Sequence, residues 1–259
     1  MTRPLSDLRG PVRALFCDVD GTMTTGDRIE ASTYEALERL GAAGVPTVMV
    51  TGRSAGFAHT FMRMTPALAV VSENGGVTFV RKGRKLHKIF GVPAASLPEW
   101  RRRMHDAALE VMSKVPGLRL STDSKYREVD LAIDWNEEVS APKEDADTAV
   151  RMLSKAGFLA VRSSVHVNFG PPHFDKLSAC MTVVRQVLGG DSNDLSHYVF
   201  VGDALNDAPM FGGFPTSVGV ANIKAWWDEL PFKPAFLTER PEGPGLRELI
   251  AHIMTLPRA

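Results

Sequence analysis

Two carboxylates one residue apart open the chemistry of this chain, in Asp18-Val19-Asp20-Gly21-Thr22, directly after the mainly apolar run from Val12 to Cys17. At a strand end, with a glycine permitting a sharp turn, such a pair can share a hard cation through oxygen ligands. It can also divide the work of a nucleophile and a proton carrier. The same residues would serve as a solvated acidic turn. Thr51-Gly52-Arg53 follows a second apolar run, Val45 to Val50. A hydroxyl and free backbone amides at a helix start suit a phosphate, or amount to a threonine N-cap. Gly202-Asp203-Ala204-Leu205-Asn206-Asp207 follows Tyr198 to Val201. Acidic residues again follow an apolar strand, either as ligands or as a polar loop with a helix cap. Lys176 opens an amphipathic helix after Gly170-Pro171-Pro172, as a cation at a ligand site or as a surface lysine. Each signal alone is weak. All of them sit just past a strand or at a helix start, where doubly wound sheets bind ligands.

The elements that must position these residues follow from hydrophobic periodicity. Val12 to Cys17, Val45 to Val50 and Ala67 to Val71 read as buried strands. Between them, Ser32-Thr33-Tyr34-Glu35 has the form of a capping box, with Tyr34, Leu37 and Leu40 at helical spacing; Phe57, Phe61 and Met64 line a second helix. This β-α-β-α-β order predicts a parallel sheet covered on both faces. The middle differs. Val77 to Val80, a Lys82-Gly83 turn and Leu86 to Phe90 read as a hairpin. A helix with Trp100, Met104, Ala108 and Val111 on one face follows, then the alternating strand Val129 to Trp135, a helix from Asp145 to Ala156, and strands Leu159 to Arg162 and Val165 to Phe169. Residues 84–169 therefore read as an antiparallel α+β insertion, and residues 1–83 and 170–259 as one α/β unit. The α/β rhythm returns with a helix from Asp175 to Leu188, short strands at 198–201, 216–220 and 235–237, and a last helix from Leu246 to Met254.

Composition narrows the classes. The 259 residues carry 30 Lys+Arg against 30 Asp+Glu, with 44% hydrophobic and 23% charged residues. That excludes a disordered or fibrous chain and lacks the basic footprint of a nucleic-acid binder. Two cysteines make no disulfide framework and point to a reducing compartment,. The N-terminus has no signal-peptide core. The uncharged stretch from Gly41 to Gly52 is too short to span a membrane,. A soluble, cytoplasmic protein is expected.

With these motifs in this order, the chain resembles a phosphatase of the haloacid dehalogenase superfamily, type II, in the IIB sugar-phosphatase or Cof-like branch. The markers are Asp18-Val19-Asp20-Gly21-Thr22, Thr51-Gly52-Arg53, Lys176 and Gly202-Asp203-Ala204-Leu205-Asn206-Asp207, and they run through nearly the whole chain. Ser72-Glu73-Asn74-Gly75-Gly76 also resembles a loop of this branch, and the insertion lies where the branch carries its cap. One departure is Leu177, where the family's lysine is often followed by glycine.

The resemblance implies a Rossmann-like doubly wound core with an inserted α+β cap. It implies a Mg²⁺-dependent phosphomonoesterase acting on a small phosphate ester, with a sugar phosphate as the leading substrate class. Asp18 would attack phosphorus and form an aspartyl-phosphate; Asp20 would protonate the leaving group and then activate water. The Asp18 carboxylate, the Asp20 backbone carbonyl and Asp203 would hold Mg²⁺. Thr51, the Gly52 amide, Lys176 and Asn206 would grip the phosphoryl oxygens, with Arg53 as an accessory and Asp207 supporting the metal or orienting Lys176. Glu73 and Asn74 would border the substrate pocket; alternatively, Asn74-Gly75 is only a hairpin turn between Val71 and Val77. The physics agrees, because a phosphate dianion among carboxylates is repelled unless cations intervene.

Other readings compete. A phosphohexomutase would use the same core without net phosphate release. Gly52-Arg53-Ser54-Ala55-Gly56 matches the G-x-S-x-G elbow of serine esterases, with Asp203 and His252 in the expected order,. Yet only two strands precede Ser54, no His-Gly-Gly stretch supplies an oxyanion loop, and the Asp18/Asp20 pair is left idle. The seven histidines show no zinc spacing, although His173 lies near Lys176 and is a candidate substrate contact. Cys17 and Cys180 read as packing residues. The partner expected is a small molecule, with no nucleic acid and no membrane.

Overall fold

The computed structural model describes residues 2–163 and 165–257. Strands β1 (Arg3–Pro4), β2 (Ala14–Asp18), β3 (Thr47–Val50), β4 (Ala69–Ser72), β5 (Val77–Lys82) and β6 (Lys85–Phe90) come first. Later come β7 (Arg119–Leu120), β8 (Leu131–Asp134), β9 (Leu159–Arg162), β10 (His166–Gly170), β11 (Tyr198–Gly202), β12 (Thr216–Gly219) and β13 (Phe236–Leu237). The helices are α1 (Ala31–Ala42), α2 (Ala55–Met64), α3 (Leu97–Lys114), α4 (Lys143–Lys155), α5 (Lys176–Gln186), α6 (Ala208–Gly213) and α7 (Glu242–Ile253).

A nine-stranded sheet runs in the order β1-β13-β12-β11-β2-β3-β4-β5-β6. Pairings from β1 to β4 are parallel, and those of β4 with β5 and β5 with β6 are antiparallel. This is the expected α/β, Rossmann-like architecture. Side-chain alternation along each central strand divides the interior in two. Leu15, Cys17, Met49 and Val70 face α1, α2 and α7, while Ala14, Phe16, Val48 and Ala69 face α5 and α6. Both cysteines are packing residues, as expected. A second sheet, β7-β8-β10-β9, is antiparallel. It packs against α3 and α4 through Met104, Val111, Leu153 and Phe169. Segment 85–90, read as the start of the insertion, instead forms the edge of the large sheet.

Two local expectations fail for identifiable reasons. Helix α1 begins at Ala31 with Glu30 at its N-cap and no side-chain cap, so Ser32 and Glu35 do not form the capping box. The Glu30 carboxylate pairs instead with Arg247. Strand β8, whose alternation of charged and apolar residues suggests a half-exposed strand, is buried throughout. Asp134, its last residue, accepts the amides of Glu137 and Glu138 at 2.8 and 2.9 Å, while Asp130, just before it, pairs with Arg127 through Oδ1 and leaves Oδ2 buried without a hydrogen-bond partner. Among the described residues, no helix is long and apolar enough to cross a membrane.

Candidate active site

The C-terminal edge of the parallel strands carries the site. Asp18 is the last residue of β2, Thr51 follows β3, Asp203 follows β11, and Lys176 is the first residue of α5. Helix α5 starts there because Asp175 and Ser178 cap it reciprocally, side chain to backbone,. Lys176 is buried, and its Nζ donates to Asp18 Oδ1 at 3.0 Å and to Asp207 Oδ1 at 2.8 Å. The two carboxylates keep this ammonium charged against the pull of burial, so its pKa is raised. Asp207 turns its other oxygen to the Asp203 amide at 3.1 Å, so one carboxylate orients the lysine and closes its own loop.

Asp18, Asp203 and Asp207 each offer a carboxylate oxygen, and these atoms lie within 4.8 Å of one another. Burial, then the neighbouring Asp207, raises the Asp18 carboxyl well above the ordinary range despite Lys176. Burial, again with Asp207, pushes the Asp203 carboxyl up to about 8. Three crowded carboxylates facing one ammonium are short of positive charge, and their all-oxygen donor set suits a hard divalent cation. Asp203 is aimed by its surroundings: Thr22 Oγ1 donates to its Oδ1 at 3.1 Å, and Asn222 Nδ2 to its Oδ2 at 2.9 Å. Asn222 also donates to the Gly21 carbonyl at 2.9 Å, tying the first loop to the last.

Asp20 sits apart from this cluster. Its half-exposed carboxylate receives Arg53 Nε at 2.9 and 2.8 Å and Arg53 Nη2 at 2.7 Å. Burial alone would ease the proton off Arg53, but the bonds and charge of Asp20 hold it on. Thr51 is buried, and its Oγ1 accepts the Arg53 amide at 3.1 Å.

A cavity of about 780 Å³ opens between the large sheet and the insertion. Asp18, Asp20, Thr51, Gly52, Arg53, Asp203 and Asn206 line it from below; Thr122, Asp123, Arg127, Glu137, His166 and Asn168 line it from the insertion. The geometry thus gathers most of the residues singled out in the sequence. Lys176 and Asp207 do not line the cavity; they lie behind Asp18.

Glu73 departs from its expected place. It is buried, off the cavity wall, and accepts the amide of Ala55 at 2.8 Å and those of Glu128, Val129 and Asp130 at 2.8, 2.6 and 2.9 Å. It clasps the insertion to α2 instead of bordering substrate, because a desolvated carboxylate needs donors and four amides converge there. Asn74 lies beside Gly52, where an added Cβ would stand 3.1 Å from its Oδ1, and it also stays off the cavity wall. The turn reading holds as well, since Ser72 pairs with Val77 across it. His173 is exposed and away from the cavity.

The serine-esterase reading fails on position. Ser54 is the buried N-cap of α2. His252 Nε2 lies 3.0 Å from the Leu8 carbonyl, near the far end of α7, whose first residue Glu242 lines the cavity. Ten helical residues place that imidazole about 15 Å away.

Sequence reasoning missed Arg127, Asn168, Asn222 and the His166–Glu137 pair, whose Nε2 and Oε2 are 2.8 Å apart. Only Arg127, set among Asp123, Glu128 and Asp130, carried a hint, as a charge dense enough to demand pairing.

Comparison with known proteins agrees with this geometry. Residues 15–89 match a family described as haloacid dehalogenase-like hydrolase. A phosphoglycolate phosphatase of Methanosarcina mazei is 28% identical over 243 residues, which cover 92% of this chain and 95% of that protein. A phosphoglycolate phosphatase of Haloarcula marismortui is 26% identical over 241 residues, covering 92% and 95%. Among solved structures, a Thermoplasma acidophilum protein superposes with a TM-score of 0.74 at 21% identity, over 95% of this chain and 100% of that one. The sucrose-phosphatase of Synechocystis, solved with sucrose and phosphate, gives 0.68 at 16% identity, over 95% and 99%. At these identities the solved structures speak for the fold.

Proposed function

We propose that this chain, whose residues 15–89 match a haloacid dehalogenase-like hydrolase family, is a Mg²⁺-dependent phosphomonoesterase that works through an aspartyl-phosphate on Asp18. The observation that carries the reading is the convergence of Asp18, Asp203, Asp207 and Lys176 at one edge of the parallel sheet. Asp18, the Asp20 carbonyl and Asp203 would hold the Mg²⁺, which supplies positive charge to the phosphoryl oxygens when bound. Lys176 aims Asp18 and favours its ionised form, against burial and the neighbouring carboxylates. An Asp18 oxygen attacks phosphorus, the P–O ester bond breaks, and Asp20 delivers its proton to the departing alkoxide. Asp20 then takes a proton from water as that water attacks phosphorus, which frees inorganic phosphate and regenerates Asp18. Thr51, the Gly52 amide and Asn206 grip the phosphoryl oxygens, and Arg53 orients Asp20. Catalysis of this kind is chiefly positioning and charge stabilisation.

In this reading the insertion after β6, residues 91–170, acts as the cap that covers the substrate and selects its leaving group. A sugar phosphate suits the cavity best, because Thr122, Asn168 and His166 offer partners for hydroxyl groups. The M. mazei and H. marismortui relatives make 2-phosphoglycolate the natural competitor to assay beside it. The two buried free cysteines are in keeping with work in the cytoplasm.

The test is phosphate release from a panel of sugar phosphates and 2-phosphoglycolate. Release with Mg²⁺, loss with EDTA, and loss in a folded Asp18→Asn variant are expected. Turnover surviving in Asp18→Asn overturns the reading. Interconversion of hexose phosphates without phosphate release replaces it with a mutase.

A further inference from the structure

Arg127 belongs to the insertion, yet it reaches into the phosphate-binding loop of the large sheet. Its side chain is 1% exposed. Nε and Nη2 donate to Asp123 at 2.9 and 3.0 Å, and Nη1 donates to Asp130 Oδ1 at 2.8 Å. Nη1 also donates to the Gly52 carbonyl at 3.0 Å, where Asn168 Nδ2 adds a longer bond of 3.4 Å. Asp123 already pairs with the guanidinium through two of its nitrogens, so the bond to Gly52 is not needed to neutralise it.

The Gly52 carbonyl and the Arg53 amide belong to one peptide plane and point in opposite directions. Arg127 holds the carbonyl end. The amide end donates to Thr51 Oγ1 at 3.1 Å. A threonine hydroxyl has one proton and two lone pairs. Accepting the Arg53 amide uses a lone pair and leaves the proton for another acceptor. Thr51 lines the cavity, so the acceptor offered there is a phosphoryl oxygen. We propose that Arg127 is a positioning residue for phosphate binding: by fixing the Gly52–Arg53 peptide it sets the donor direction of the Thr51 hydroxyl.

Glu73 holds Arg127 in register, since its carboxylate takes the three amides that follow Arg127 in the chain. The phosphate loop is therefore set only while the insertion is docked. This rests on the proposed function for the identity of the ligand, but its primary readout does not require turnover.

The experiment is a double-mutant cycle read by calorimetric binding of inorganic phosphate in the presence of Mg²⁺. Thr51→Val in the parent chain, and Arg127→Lys alone, should each weaken binding about tenfold. Thr51→Val added to Arg127→Lys should cost little more, because the two groups act in one chain of contacts. If turnover is present, Arg127→Lys should lower kcat/KM by the same factor for a small aryl phosphate and for the best sugar phosphate. Should Arg127→Lys not fold, the charge-matched Arg127→Met/Asp123→Asn/Asp130→Asn set replaces it in the same cycle. Independent, multiplying losses overturn the proposal, as does a change confined to the ratio between leaving groups. A parent chain that binds phosphate but hydrolyses no ester would sink the phosphatase reading and leave this cycle interpretable.

Discussion

Gly21 adopts a φ of +74°, and a Cβ there would collide with Asp203 Oδ2. Two requirements meet at one residue: a left-handed turn and an open lane between the Asp20 loop and the Asp203 carboxylate. Gly21→Ala pays about 1 kcal/mol for the backbone, but its larger effect is to push Asp203 out of the carboxylate cluster. The variant should fold, with near-parental circular dichroism, and need far more Mg²⁺ for half-maximal phosphate release. An unchanged Mg²⁺ titration would show that Asp203 takes no part in holding the ion. The residue types at this centre were legible in the sequence, because aspartates after apolar strands are uncommon and a strand end fixes where they point. The bonds were not. Lys176 lies 158 positions from Asp18 in the chain, and only the closed sheet brings them to 3.0 Å.

The turn from β4 to β5 bears strain: Glu73 and Asn74 have φ of 50° and 54°, a region that L-residues avoid,. Four amide bonds to Glu73 offset it. Removing that carboxylate in Glu73→Ala leaves those buried donors without an acceptor, at about 1–3 kcal/mol each where water cannot replace it. A loss of about 3 kcal/mol or more is expected, seen as a thermal midpoint lower by about 10 °C. The sequence showed a turn at this place, since Asn-Gly between two apolar runs says as much. It could not show a clasp, because the partners 128–130 lie in another element. Asp130 adds a pH dependence. Burial first, and Glu73 with it, raises its carboxyl from 3.8 to about 8 against the attraction of Arg127. The folded chain thus holds this proton more tightly than the unfolded chain. The associated stability is complete below about pH 4 and is lost as pH rises through about 8. Asp130→Asn should flatten the fall of the thermal midpoint between about pH 5 and 9. An equal slope in both proteins would mean that Asp130 is ionised throughout.

At the scale of the molecule, the two sheets leave a polar cavity whose lower wall gathers acidic side chains that water no longer screens. The β-α-β rhythm made the large sheet readable, since buried parallel strands are continuous apolar runs. The edge at 85–90 was misplaced because a hairpin reads the same whichever sheet it joins. Crowding Asp18, Asp203 and Asp207 leaves stability that a divalent cation can restore, and a ligand bound only by the folded state raises the thermal midpoint by mass action. At one hundred times its dissociation constant the gain is about 2.7 kcal/mol. For a chain of this size, that gain is a shift of about 5–10 °C. Potassium chloride at matched ionic strength should not reproduce it, because screening alone acts weakly on buried charges. Asp203→Asn should abolish the Mg²⁺ shift while relieving part of the repulsion, so its midpoint without metal should equal or exceed that of the parent. A full Mg²⁺ shift persisting in Asp203→Asn would place the stabilising ion elsewhere on the molecule and separate the carboxylate cluster from metal binding.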